Sequence, residues 1–330
     1  MNPTIGVFDS GFGGLTVLRA LLTRLPQANY AFLGDTARLP YGSKSRRTIA
    51  RYAAESAQFL VQKQGAQFLV VACNTASALA LDAIQAAVPV AVLGVIEPGA
   101  AAARAASRTG DVLVIATEAT VQSHAYAAAC RAQGMRAIEK ACPLLVPLVE
   151  EGWTQHSVTA EVIRIYLAEL LAEAAALSMQ PDTLLLGCTH YPLLRPLLEA
   201  AVPAGMKVID SAEAIAANVA LLFGQKTAAG QGLRRDDRDE SEGLDPATAE
   251  MQIVEDSFRE GLEPAALQGA GGTAEVAPGC NALAGREDTS SGAEAQIRCF
   301  ATDSVEKFQR LGSRFLGRET GQVTLVDLGG

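Results

Sequence analysis

Short apolar runs alternate along this chain with stretches of helical periodicity. Thr4-Ile5-Gly6-Val7-Phe8 is continuous enough for a buried strand, and Asp9-Ser10-Gly11-Phe12-Gly13-Gly14 ends it. Leu15, Leu18, Leu21, Leu22 and Leu25 then recur at three-to-four spacing, which predicts a helix that Pro26 stops. Further strands are expected at 30–33, 67–72, 90–95, 111–116, 183–186, 207–209 and 322–326. Helices are expected between them at 45–64, 76–87, 121–132, 158–177 and 212–223. Asp303-Ser304-Val305-Glu306 reads as a capping box opening a last helix through Leu316. Strands alternating with amphipathic helices mean βαβ units, a parallel sheet and the α/β class. Such sheets take ligands at the carboxyl ends of their strands, so the residues just after each apolar run are the ones to question.

One stretch breaks the pattern. From 225 to 296 the chain carries 6 basic and 15 acidic residues, a net −9, which equals the formal charge of the whole protein. It is rich in Gly, Ala, Ser and Pro and has one modest apolar piece, Met251-Gln252-Ile253-Val254 with Phe258. So little apolar surface cannot offset the entropy of ordering, and a flexible insertion is expected.

The body has the make-up of a core-forming protein: 330 residues, 49% hydrophobic and 19% charged, enough for two domains. Its acidic balance and lack of a basic block argue against nucleic acid or anionic lipid as the main partner. No apolar run approaches the ~20 residues of a bilayer span, and residues 1–6 have no basic and apolar signal pattern, so neither membrane nor export is expected. The cysteines at 73, 130, 142, 188, 280 and 299 form no CxxC pair. That excludes a disulfide framework or zinc cluster by spacing and points to a reduced, cytoplasmic setting. With no HExxH or Walker motif either, no metal and no cofactor are expected.

Two of the cysteines occupy matching places. Phe68-Leu69-Val70-Val71-Ala72 runs into Cys73-Asn74-Thr75-Ala76-Ser77, and Thr183-Leu184-Leu185-Leu186-Gly187 runs into Cys188-Thr189-His190-Tyr191-Pro192. A thiol between a strand end and a helix start meets backbone N–H groups and the positive end of the helix, which lowers its pKa. The same donors, with the hydroxyls of Thr75 and Thr189, suit a carboxylate. Two such units facing across a cleft would supply two acid–base groups on opposite faces of one carbon, which is what inversion of that centre needs. Cys130, Cys142, Cys280 and Cys299 lack this context and read as small buried apolar residues; His124 and His156 read as bystanders.

Other loops fit a small polar substrate. Asp9 could accept from an ammonium group and Ser10 could donate to a carboxylate. Gly34-Asp35 through Pro40-Tyr41-Gly42 closes the second strand unit. Thr117-Glu118-Ala119-Thr120 ends another strand, where Thr120 would also serve as a helix N-cap.

Together, Asp9-Ser10-Gly11-x-Gly13-Gly14-Leu15-Thr16-Val17, Gly34-Asp35 with Pro40-Tyr41-Gly42, Cys73-Asn74-Thr75-Ala76-Ser77 and Gly187-Cys188-Thr189-His190-Tyr191-Pro192 resemble the glutamate racemases of the aspartate/glutamate racemase family. The resemblance covers most of 1–223 and resumes near 299–328; the acidic insertion departs from it. It implies a cofactor-independent enzyme that interconverts L- and D-glutamate and supplies D-glutamate for peptidoglycan. It also implies two similar α/β domains facing across a cleft, one at 1–95 plus 208–330 and the other at 96–207. By position, Cys73 would deprotonate D-glutamate and Cys188 L-glutamate, with Asp9 and His190 assisting the thiols. Asp9, Ser10, Tyr41, Gly42, Asn74, Thr75, Thr120, Thr189 and His190 would bind the substrate, and Glu150 would be a helper. Glutamate is the implied partner, with a homodimer as the assembly. The alternatives are an aspartate or other amino-acid racemase of the same family, or a racemase fold with an added regulatory role through the acidic insertion.

Overall fold

The computed structural model of the chain describes residues 2–232 and 295–328. The first half builds β1 (Thr4–Asp9), α1 (Leu15–Arg24), β2 (Asn29–Gly34), α2 (Arg46–Gln58), β3 (Phe68–Val71), α3 (Asn74–Leu79), α4 (Leu81–Ala87) and β4 (Ala91–Gly94). After α5 (Ile96–Ala106) come β5 (Asp111–Ala116), α6 (Glu118–Ser123), α7 (Ala125–Ala132), β6 (Arg136–Ala141), α8 (Leu145–Glu150) and α9 (Ser157–Ala176). Then follow β7 (Thr183–Gly187), α10 (Arg195–Ala201), β8 (Lys207–Asp210), α11 (Ser211–Gly232), β9 (Ile297–Ala301), α12 (Val305–Leu316) and β10 (Val323–Leu325).

Among the described residues these strands form two wholly parallel sheets, ordered β10-β9-β2-β1-β3-β4 and β6-β5-β7-β8. The α/β class expected from the alternation is what is found. In the first sheet β1 lies between β2 and β3, and helices cover both faces, which is why its run is apolar without alternation. β5 and β7 hold the same inner position in the second sheet, and both are buried along their whole length. The loops after β1, β2, β3, β5 and β7 therefore emerge at the carboxyl ends of inner strands, and the candidate groups found at strand ends belong to these loops.

Several local expectations change. β6 and β9 were not expected as strands. Arg136–Ala141 is a half-exposed edge strand, and Ile297–Ala301 sits directly behind the acidic stretch. The helix expected at 121–132 breaks into two at His124, which adopts a left-handed backbone (φ 54°). No capping box forms before α12. Ser304 is itself left-handed and makes no side-chain cap; instead its N–H donates to Asp303. Helix α11 runs past Phe223 into the segment expected to be an insertion, and β8 spans the 207/208 division expected between domains. From 233 to 294 the acidic segment, with its flexible-insertion reading and Cys280, lies outside the described residues.

Candidate active site

Cys73 leaves β3 through Ala72 and becomes the N-cap of α3, its Sγ accepting from the N–H of Ala76 at 3.5 Å. Ser10, on the loop after β1, places its Oγ 3.3 Å from the same sulfur. Burial, with the nearby Asp9 carboxylate second, pushes the Cys73 thiol up to about 12. This reverses the expected activation by a helix start. The six-residue α3 and the Ser10 hydroxyl favour the thiolate, but they are outweighed by the loss of water around the sulfur.

Cys188 follows β7 directly, yet no α-helix opens on it. Tyr191–Leu194 forms a tight 3₁₀ turn first, and α10 starts only at Arg195. Its neighbour is a side chain instead: Nδ1 of His190 lies 3.9 Å from its sulfur. On the other ring edge, Nε2 of His190 is 3.4 Å from Oε1 of Glu150, an ion-pair distance without hydrogen-bond alignment. Glu150 ends α8, and its second oxygen meets Nζ of Lys307 at 3.2 Å. Burial alone would lower the pKa of His190, but Cys188 and Glu150 outweigh it and hold the imidazole up at about 10. Burial likewise works to raise Glu150, but His190 and Lys307 win and hold it below its ordinary value. The two thiols thus sit in unlike surroundings: Cys188 has a cation beside it and Cys73 does not.

Both cysteines line one cavity of about 250 Å³. Its polar wall includes Ser10, Asn74, Thr75, Thr117, Thr189 and His190, with Glu150 and Glu118 at hand; Tyr41 and Gly42 also border it. Asn74 is oriented by Tyr126, whose hydroxyl donates to Oδ1 at 2.6 Å, so the buried Nδ2 is left without a partner in the cavity wall. A buried amide N–H₂ with no acceptor is costly unless a ligand completes it. Thr75, Thr117 and Thr120 share hydroxyl hydrogen bonds of 2.9–3.2 Å that tie α3 to α6.

Two expected residues do not border the cavity. Thr120 stands behind Thr75 and Thr117, inside α6 rather than at its N-cap, a position held by Thr117. Asp9 lies under the Gly-rich loop, where Oδ2 accepts from the N–H of Gly11 at 2.9 Å and Oδ1 is unpartnered. Burial raises its pKa against the opposing pull of His190. Tyr41 borders the cavity, but its hydroxyl is engaged elsewhere, donating to Asp35 at 2.5 Å. The other histidines do not border the cavity: His124 pairs with Glu139 at 2.9 Å, and His156 caps α9 and stacks on Trp153.

Sequence reasoning found the strand-end loop of Thr117 but gave the substrate contact to Thr120, and it missed Lys307. The strand-end rule that found Cys73 favours Thr117, the residue that borders the cavity. Nothing in the local sequence marks Lys307, because its partner is 157 positions away.

A family model described as Asp/Glu/Hydantoin racemase matches residues 8–219. A glutamate racemase of Koribacter versatilis is 48% identical over 329 residues, covering 100% of this chain and 99% of that one, so the match runs through the acidic segment. Among solved structures, glutamate racemase isoform RacE1 from Bacillus anthracis superposes with TM-score 0.69 at 28% identity, covering 99% of this chain and 98% of that one. A Francisella tularensis glutamate racemase in complex with D-glutamate gives 0.68 at 28% identity over the same shares.

Proposed function

The chain belongs to the Asp/Glu/Hydantoin racemase family, and we propose that it is a glutamate racemase, an isomerase that inverts Cα with two thiols. The observation that carries the mechanism is that Cys73 and Cys188, each leaving an inner strand of a different sheet, line one cavity whose wall supplies carboxylate donors. Racemisation needs one group to take the Cα proton and another to return a proton to the opposite face. A single base would return it to the face it came from.

The unlike surroundings suggest a starting state. Cys73, raised to about 12, is a thiol at neutral pH and serves as acid. Cys188, beside a protonated His190, serves as base. The Cα–H pair of L-glutamate passes its proton to the sulfur of Cys188, leaving the electron pair on Cα, and the S–H of Cys73 donates to that carbon from the other side. D-Glutamate leaves an enzyme with a thiolate at Cys73 and a thiol at Cys188, which is the form that runs the reverse reaction. Ser10, Asn74, Thr75 and Thr189, together with Thr117, hold the substrate; Asp9 and Thr120 act from behind that wall. We take 1–95 plus 208–330 and 96–207 as the two domains, with the second boundary following β8, which pairs with β7, to Asp210. We place the enzyme in the cytoplasm, as a homodimer, making D-glutamate for peptidoglycan.

The test is polarimetry with L-glutamate and, separately, L-aspartate, without added cofactor, followed by Cα deuterium incorporation in D₂O. Loss of rotation with glutamate and exchange at Cα are expected. Turnover of aspartate alone would sink the substrate assignment.

A further inference from the structure

We propose that Lys307 is a positioning residue for the Cys188 half of the reaction: it holds Glu150 against His190 and so fixes the imidazole beside that thiol. The inference rests on the two-thiol reading above.

Glu150 is the last residue of α8, at the negative end of that helix, where a carboxylate is disfavoured. It stays there between two cations, His190 at 3.4 Å and Lys307 at 3.2 Å. With Lys307 removed, one oxygen would lose its partner, and the carboxylate would be drawn toward water and away from the ring. Among the described residues, Glu150 faces His190 and Lys307, and His190 faces Cys188, Glu150 and the field of Asp9. Lys307 is itself steadied over the ring of Phe12, 5.4 Å from its centroid.

The helix that carries Lys307 reaches the same wall at two further points. Phe315 sets its ring edge-on to His190 at 5.0 Å, and Arg314 fills the space beside Gly152 just after α8. Phe308 anchors α12 between Phe12 and Phe32 with edge contacts of 6.0 and 5.9 Å. A helix lying after the acidic stretch thus sets the geometry of a base that lies before it.

The test uses the full chain with Lys307→Met and Lys307→Arg. L- and D-glutamate have equal energy in water, so any variant must change kcat/KM equally in both directions. The slowed proton transfer differs, however, and deuterium at Cα reports it. Because the Lys307 side chain is 41% exposed, its pull is screened, and a fall in kcat/KM of roughly 3- to 30-fold is expected for Lys307→Met. The isotope effect should rise with Cα-deuterated L-glutamate, where Cys188 takes the deuteron, and fall with the D-enantiomer. Lys307→Arg should recover most of the rate and the wild-type isotope effects. Lys307→Gln carries the same test if the Met variant folds poorly. Unchanged isotope effects for both enantiomers, or an unchanged rate, would overturn the role of Lys307. Near wild-type activity in Cys188→Ala would instead overturn the two-thiol reading on which it rests.

Discussion

Gly13 and Thr189 approach so closely that a Cβ on Gly13 would lie 2.2 Å from Oγ1 of Thr189. The same atom would stand 2.6 Å from Nδ1 of His190. The Gly-rich loop after β1 and the loop after β7 are therefore packed backbone against side chain, and Thr16 adds a hydrogen bond from Oγ1 to the carbonyl of Thr189 at 3.2 Å. Gly13→Ala should displace the residues flanking Cys188. Overpacking typically costs about 1–3 kcal/mol, so a melting curve should show modest destabilisation. The loss in kcat should be larger than that cost implies, because His190 and Thr189 both move. A variant with wild-type kcat would mean that this contact is not part of the site.

Cys73→Ala and Cys188→Ala should each abolish most racemisation, since general acid–base groups typically contribute about 10²–10⁴-fold. Equal energy of the enantiomers requires that each variant lose kcat/KM by the same factor in both directions. Measuring initial rates from each enantiomer checks both points. One variant near wild-type turnover would end the two-base assignment.

The pH dependence of His190 has a definite sign. Its imidazole is held at about 10 against an ordinary 6.5, so the folded state binds this proton more tightly than the unfolded chain. The stabilisation is complete below about pH 6.5 and is lost as pH rises through about 10. Glu150→Gln removes one of the groups that hold the proton. In that variant the loss of melting temperature across this window should shrink, and the alkaline limb of kcat/KM should move to lower pH. An unmoved limb would show that Glu150 does not set the charge of His190.

Tyr126 does not itself line the cavity but fixes the Asn74 amide of its wall through a 2.6 Å hydrogen bond. In Tyr126→Phe the amide is free to turn Nδ2 away from the substrate. A neutral hydrogen bond is worth about 0.5–1.5 kcal/mol net, so KM for glutamate should rise a few-fold, with a smaller change in kcat. A fall in kcat at constant KM would assign Asn74 to the transition state instead.

Much of the site was legible before the fold because strand ends in a parallel sheet are local features. The runs before Asp9, Cys73, Thr117 and Cys188 are apolar because inner strands are covered on both faces, so each run's end locates a loop at the ligand-binding edge. Edge strands carry no such signal. Arg136–Ala141 is half-exposed, and its mixed pattern hid it. The break at His124 and the uncapped start of α12 were also invisible, since both depend on a left-handed residue that sequence pattern does not mark.

By itself the sequence determined the α/β class, the order of the inner strands' loops and the two thiols at matching strand ends. Periodicity and composition depend only on neighbours along the chain. Tertiary structure decided how those groups behave. Burial holds Cys73 as a thiol where the helix-start argument predicted activation, and His190 with Glu150 puts a cation beside Cys188. Lys307 reaches Glu150 across 157 positions. Desolvation and charge pairing depend on which surfaces close over a group, and that is settled only when distant segments pack together.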